Sequence, residues 1–88
     1  MPIVQQLSLF PDSVALARIR PEFNERRFYR LAICPDLFGH AVLLRQWGRI
    51  GTTGHQRLDP YPDPGAAFNA LAQLARLKRK RGYVETGP

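Results

Sequence analysis

Four stretches of the chain show the pattern of β-strands, because they alternate apolar with polar positions or concentrate aromatic and branched side chains. Proline or glycine residues separate them, and these residues interrupt regular strand pairing. Because short loops join the stretches in sequence, they predict an antiparallel meander. The predicted strands are Val14–Arg20, Arg27–Cys34, Ala41–Ile50 and a short Gln56–Asp59.

One amphipathic helix is predicted in the last third of the chain. Asp63 suits the N-cap, Pro64 the first helical position, and Gly82 the residue just past the helix end. Between them, apolar side chains recur on one stripe at helical spacing, and this stripe must cover an apolar surface. The expected fold class is therefore α+β, a small antiparallel β-sheet with one C-terminal helix packed on one face. The stripe consists of Ala67, Phe68, Leu71, Leu74 and Ala75.

Alternation along the third predicted strand sorts its side chains onto two faces of the sheet. The set that includes Val42 and Leu44 is the better match for the apolar stripe of the helix, so we expect the helix to cover that face. The other set places Trp47 between Arg45 and Arg49 on the opposite, uncovered face. The set expected beneath the helix is Val42, Leu44, Gln46, Gly48 and Ile50.

Trp47 has two interpretations that the alternation leaves open. An exposed indole is a flat plate on which a sugar or base can stack, while flanking guanidinium groups bind phosphate. Gly48 removes a side chain beside it, so another backbone or a ligand can approach closely. Alternatively, the indole anchors the core and the arginines only cover it.

A basic run follows the helix stripe and also has two interpretations. Cations at a helix C-terminus complement the helix dipole, but five crowded like charges exceed what that role requires. A phosphate-binding ridge accounts for the excess. Tyr83, just after Gly82, could donate a hydrogen bond to a phosphate or close the core. The run consists of Arg76, Lys78, Arg79, Lys80 and Arg81.

Composition supports one small domain with an anionic partner. The chain has 88 residues, 44% hydrophobic and 23% charged, and a net charge of +6. Residues 45–88 carry eight basic and three acidic side chains, which points to a polyanion such as nucleic acid. Because Cys34 is the single cysteine and residues 1–10 lack a secretory pattern, we expect a cytoplasmic, nucleoid-associated protein.

The sequence carries no catalytic pattern that would indicate an enzyme. A zinc site made of Cys34, Asp36 and His40 would lack a fourth ligand at a familiar spacing, so we expect no metal and no cofactor. Cys34 is instead interpreted as a small apolar core residue. The domain is therefore expected to be a non-catalytic binding module.

The N-terminal segment is predicted to be a flexible tail over residues 1–13, followed by the folded domain over residues 14–88. The pentapeptide Gln6-Leu7-Ser8-Leu9-Phe10 resembles the linear motif by which bacterial polymerases and repair proteins bind the β sliding clamp. Its apolar side chains would fill pockets on the clamp, and the tail would order only on binding. Alternatively, the same apolar residues could form an edge strand of the protein's own sheet.

Several of these features together resemble the WGR domain, a family named for its Trp-Gly-Arg triplet. The resemblance rests on Arg27–Leu31, Arg45–Gly51, the Ala66–Leu77 helix, the basic run and Gly82-Tyr83, and it covers about residues 22–85. The family occurs beside the catalytic domain of DNA-dependent poly(ADP-ribose) polymerases and as small bacterial proteins. It implies a mostly antiparallel sheet with one helix packed across it, and DNA binding near strand ends. The transferase activity does not carry over, because the chain has no domain to house it.

The resemblance also implies residue roles. Trp47 would stack against the sugar of a terminal nucleotide, Gly48 would be the tight position beside it, and Arg49 would contact phosphate. The predicted function is recognition of DNA ends, nicks or junctions by a replication or repair accessory factor. The alternative is a protein-interaction adaptor that uses the Trp47 face. The predicted DNA contacts are Arg45, Trp47, Gly48, Arg49, Arg76, Lys78, Arg79, Lys80, Arg81 and Tyr83.

Overall fold

A computed structural model of the chain describes residues 13–35 and 37–86. Over these residues it contains one antiparallel sheet of five strands in the order β4-β3-β2-β1-β5, and one α-helix. The predicted α+β class is confirmed. A short 3₁₀ turn at Pro21–Phe23 joins the first two strands. The elements are β1 (Ser13–Arg20), β2 (Glu25–Pro35), β3 (Ala41–Arg49), β4 (His55–Tyr61), α1 (Pro64–Lys80) and β5 (Val84–Glu85).

The strands follow the predicted pattern, with one addition. β2 and β3 form the long central pair, whose register runs from Arg27 opposite Arg49 to Pro35 opposite Ala41. Pro60 is tolerated because β4 is an edge strand, where a missing amide donor breaks few ladder bonds. β5 was not predicted, because two residues carry too little pattern to distinguish a strand from a loop. It pairs with β1 on the other edge of the sheet.

The predicted helix ends are confirmed. The backbone N–H of Ala66 donates a hydrogen bond to Oδ1 of Asp63 at 2.8 Å, which caps the N-terminus. At the other end, Gly82 has a φ of +95°, a conformation that glycine adopts without steric penalty. The N–H of Tyr83 then donates to the Lys78 carbonyl at 3.1 Å, as in a Schellman cap. This cap fixes where the chain leaves α1 and directs Tyr83 back onto the sheet.

The expectation about which face of β3 meets the helix is wrong. α1 packs on the face that carries Leu43, which is 0% exposed, and not on the face that carries Leu44. The neighbouring strands decide this, because Leu16 of β1 and Leu31 of β2 lie on the same face as Leu43 and are each 1% exposed. Each fully buried leucine contributes roughly 1.5–3 kcal/mol of apolar burial.

Two consequences of this face assignment correct the sequence interpretation. Trp47 alternates in phase with Leu43, so it lies on the helix side of the sheet and packs partly buried against the edge of the core. Cys34 lies on the other side and is exposed, so it is not a core residue. No helix in residues 13–35 or 37–86 is long and apolar enough to cross a membrane.

A close backbone contact explains Gly48. A Cβ at Gly48 would lie 2.7 Å from the Cα of Gly54, and a Cβ at Gly54 would overlap the carbonyl oxygen of Trp47. Side chains at these two positions would therefore force the β3–β4 hairpin apart. Because Gly48 has no side chain, the backbone of the loop after β3 packs directly against it. The same loop contacts the main chain of Trp47 through Gly54.

Glu25 links the first two strands through three arginines. Its carboxylate accepts hydrogen bonds from Arg18 at 2.6 Å and Arg20 at 2.8 Å, and its Oε2 lies 3.2 Å from the Arg27 Nε. The hydrogen bonds from Arg20 and then Arg18 lower the pKa of Glu25 from 4.5 to about 2. The ionised form of Glu25 therefore holds three like charges together at the start of β2.

The free energy of unfolding should fall as the pH falls from about 4.5 toward 2, because the unfolded chain binds a proton at Glu25 before the folded chain does. Above that pH range, Glu25 makes its full contribution to the free energy of unfolding. Urea denaturation at pH 6, 4.5 and 3 measures this free energy, with Glu25→Gln as the matched variant. If Glu25→Gln lost stability with acid as steeply as the parent, Glu25 would not be the titrating group.

Candidate nucleic-acid interface

Three segments meet at one end of the sheet. β1 ends and β2 begins there, β3 ends and β4 begins there, and the antiparallel course of α1 returns its C-terminus to the same end. The helix end is joined to the sheet by a hydrogen bond of 2.6 Å from Nη1 of Arg18 to the Arg81 carbonyl. The fold therefore brings the basic run close to the end of β3 that carries Trp47.

A cleft of about 610 Å³ opens at this end, with Trp47 in its wall. Its other walls come from the β1–β2 turn and the start of β4, and its volume lies in the range of small-ligand sites. We call it the tryptophan cleft. It is lined by Arg20, Phe23, Asn24, Glu25, Arg26, Arg27, Trp47, Gly48, Arg49 and His55.

An aromatic row fixes the orientation of the indole. Trp47 lies between its cross-strand partners Tyr29 and His55, with ring centroids 6.2 and 5.7 Å away. Tyr83 continues the row, with its ring edge-on to Tyr29 at 6.4 Å. Because strand register sets these neighbours, the indole is held from both sides and presents only part of its surface to the cleft.

Tyr83 and Lys78 belong to this row and not to an exposed ridge. Tyr83 is 8% exposed and closes the core. The Lys78 Nζ lies 4.4 Å from the Tyr29 ring centroid and 5.3 Å from that of Tyr83, which is cation–π geometry. Burial lowers the pKa of Lys78, and nearby cations lower it further. Those cations are Arg81, Arg18, Arg27 and Arg45.

The arginines of the cleft differ in how far carboxylates neutralise them. Arg20 and Arg27 share Glu25. Arg49 is exposed and donates a hydrogen bond of 3.3 Å to the Asn24 carbonyl. Neither Arg26 nor Arg49 forms an ion pair with a carboxylate of the described residues. Their charges are therefore available to an anion that enters the cleft.

The other predicted contacts lie outside the cleft. Arg45 is on the same face of the sheet, but its Nε lies 3.2 Å from Asp59 Oδ2 and its side chain is only 19% exposed. Arg79 lies 3.4 Å from Glu85. Arg76, Lys80 and Arg81 are exposed at the helix end. The structure thus brings together Trp47, Gly48 and Arg49 in the cleft, and the helix end is joined to the same end of the sheet through Arg18 and Arg81.

Sequence reasoning missed seven of the ten residues that line the cleft. Arg26, Arg27 and His55 reach it only because β2 and β4 pair with β3 in the observed register. The sequence feature that could have indicated these cleft residues is the Arg26-Arg27 pair, which follows shortly after a turn that begins at Pro21. Residues 13–35 and 37–86 contain no group of His, Cys, Asp or Glu side chains that could hold a metal ion.

The predicted clamp-binding pentapeptide lies outside the described residues and remains a prediction. The same is true of the boundary between tail and domain. Asp36, which belongs to the zinc set considered above, also lies outside them.

Comparison with known proteins identifies the family. The WGR domain model matches residues 12–88. The chain is 41% identical over 73 residues to the uncharacterized protein y4dW of Sinorhizobium fredii, which aligns 83% of this chain but only 36% of that protein. No solved structure matches the chain. WGR domains are small binding-type domains associated with nucleic-acid binding. Because the match includes the Trp47-Gly48-Arg49 triplet and every described strand, the chain belongs to the WGR domain family.

Proposed function

We propose that this domain binds DNA at ends, nicks or junctions, where the sugar of a terminal nucleotide enters the tryptophan cleft and lies against Trp47. The observation that supports this function is a partly exposed indole inside a cleft lined by four arginines. An aromatic plate beside guanidinium groups is the combination that binds a nucleotide without reading its base.

Electrostatics at this end of the sheet favours an anionic ligand. Arg26 and Arg49 have no carboxylate partner among the described residues, and the pKa of Lys78 is lowered partly by four surrounding arginines. Like charges this close raise the free energy of the unbound domain, and a phosphate relieves their repulsion. DNA binding therefore removes a repulsion that the fold itself creates.

The recessed position of the indole supports a preference for ends. Trp47 is partly buried between Tyr29 and His55, so a sugar must enter the cleft to touch it. A nucleotide inside an intact duplex must first leave the stack, at a cost of a few kcal/mol. A terminal or nicked nucleotide has a free side and meets a smaller penalty.

The helix end supplies phosphate contacts that do not depend on sequence. Such contacts hold the duplex in place while the cleft receives its terminus. Arg45 would contribute less, because Asp59 already neutralises part of its charge. In the proposed complex these contacts come from Arg76, Arg79, Lys80 and Arg81.

The same proposal gives the domain a non-catalytic, accessory role in replication or repair, in the cytoplasm and on the nucleoid. The pentapeptide Gln6–Phe10 would tether the domain to the β sliding clamp. A short peptide that orders on binding gives modest affinity, so the clamp would deliver the domain to newly made ends and release it easily.

Trp47→Leu should remove the preference for ends while keeping most of the affinity for duplex DNA. Leucine preserves the apolar contact with the core but offers no flat surface against which the terminal sugar can lie. Competition among blunt, nicked and closed-circular DNA of one sequence measures the preference, and a denaturation curve checks that the variant is folded.

Arg30→Gln is the matched control, because it removes one charge from the opposite face of the sheet, where Arg30 lies over the Phe28 ring. It should leave the ratio of end to circle affinity unchanged. Equal binding of all three DNAs by the parent protein would refute end recognition. Failure to bind any DNA at low salt would instead support the protein-interaction adaptor.

Replacing Arg79 and Arg81 with glutamine should weaken binding to all three DNAs equally. Each lost phosphate contact reduces the slope of log affinity against log salt by about 0.9 on duplex DNA. A salt titration of the parent and the double variant measures the change. An unchanged slope would show that the helix end does not contact phosphate.

A peptide of residues 1–13 should bind purified β sliding clamp, and Phe10→Ala should abolish the binding because the aromatic side chain fills an apolar pocket. Fluorescence anisotropy of the labelled peptide measures both. Ser8→Ala is the matched control and should bind as the parent does, since the apolar contacts remain. Equal binding by the Phe10→Ala peptide would exclude the motif.

A further inference from the structure

The face of the sheet opposite α1 is largely apolar, and no element among the described residues packs across it. Ile50, Leu58 and Val84 are 42%, 58% and 64% exposed. Phe28 and Leu44 alternate onto the same side and are partly buried. We call this surface the open face. Apolar area of this extent on a small domain indicates a surface that is covered by something else.

A shallow trough runs along the open face. Its floor consists of Ala15, Ala17 and Ala32, and the larger side chains of Phe28 and Leu44 stand beside it. Two adjoining hollows of about 310 and 260 Å³ form the trough. Small residues beside large ones leave a groove along the strands, which suits a single extended peptide segment.

The position of the trough identifies its occupant within the chain. One hollow is lined by Ser13, the first described residue, so the segment 1–12 joins the domain at the end of the trough. Residues 1–11 contain no Lys, Arg, Asp or Glu, and Leu7 and Leu9 are spaced to point the same way in an extended chain. Pro11 and Asp12, which come directly before β1, are residue types that favour turns.

We propose that residues 3–10 fold back onto the open face, with Leu7 and Leu9 in the trough. Eight extended residues span about 26 Å. This matches the length of the eight-residue strand β1, along which the segment would lie. The proposal holds whether or not the protein binds DNA or the clamp. It also makes the open face a competitor of any partner that binds Leu7 and Leu9.

A second copy of the chain fits the open face less well. The net charge of +6 opposes self-association. Arg30 lines both hollows, so a symmetric pairing of two open faces would bring two such guanidinium groups together in an apolar contact. The uncharged segment places no cation against Arg30.

Cys34 allows a direct test on the full chain, because it is the single cysteine, is exposed and lies on the open face. A nitroxide attached to Cys34 should broaden the amide signals of residues 5–10 beyond detection in ¹⁵N NMR spectra. Reduction of the nitroxide with ascorbate should restore them. Absence of broadening in residues 5–10 would overturn the proposal.

Two variants separate docking from mere tethering near Ser13. Replacing Leu7, Leu9 and Phe10 with serine removes the apolar side chains without touching the domain, and Ala15→Lys fills the trough floor. Both should restore the signals of residues 5–8 in the oxidised sample. Unchanged broadening in both variants would show that the tether alone causes it and would refute docking.

A mixture of spin-labelled protein and ¹⁵N-labelled protein that lacks the cysteine tests whether a second copy of the chain covers the open face. Cys34→Ser protein supplies the ¹⁵N partner. The proposal predicts no broadening between molecules in this mixture. Broadening of residues 5–10 between molecules would assign the open face to a second copy and overturn the intramolecular contact.

Discussion

The burial of one leucine-rich face of the sheet beneath α1 is the constraint on which the rest of the structure depends. Leu16, Leu31 and Leu43 come from three adjacent strands and are at most 1% exposed. Once they are covered, alternation places Trp47 on the same side of β3 and just past the covered area. The position of the candidate site therefore follows from the packing of the core.

Positive charge at the cleft end is organised by a small number of partners. Glu25 holds Arg18, Arg20 and Arg27, and this leaves Arg26 and Arg49 to face an incoming anion. Lys78 serves a different purpose, because its ammonium group lies over two tyrosine rings and braces the row that orients Trp47. The basic run thus divides into a structural cation and exposed ones.

The two faces of the sheet have different chemistry, and this separates their proposed roles. The helix side carries the core, the aromatic row and the tryptophan cleft. The open face carries alanines and exposed aliphatic side chains, with Arg30 among them. A cationic cleft suits nucleic acid, whereas an apolar trough suits a peptide segment, so the small domain can engage both at the same time.

The sequence alone determined the elements whose causes are local. Four strands, the helix with its Asp63 cap and Gly82 terminus, and the WGR family all follow from alternation, capping chemistry and a contiguous motif. These features depend on residues that are neighbours along the chain. Local chemistry was therefore sufficient to predict them.

Which face of β3 is buried depends on tertiary packing, because Leu16 of β1 and Leu31 of β2 lie beside Leu43 and outweigh the local pattern that favoured the other face. The same holds for the cleft. Arg27 lies far before Trp47 in the sequence, and the pairing of β2 with β3 brings it to the cleft. Such contacts depend on the pairing of distant segments, which no local pattern records.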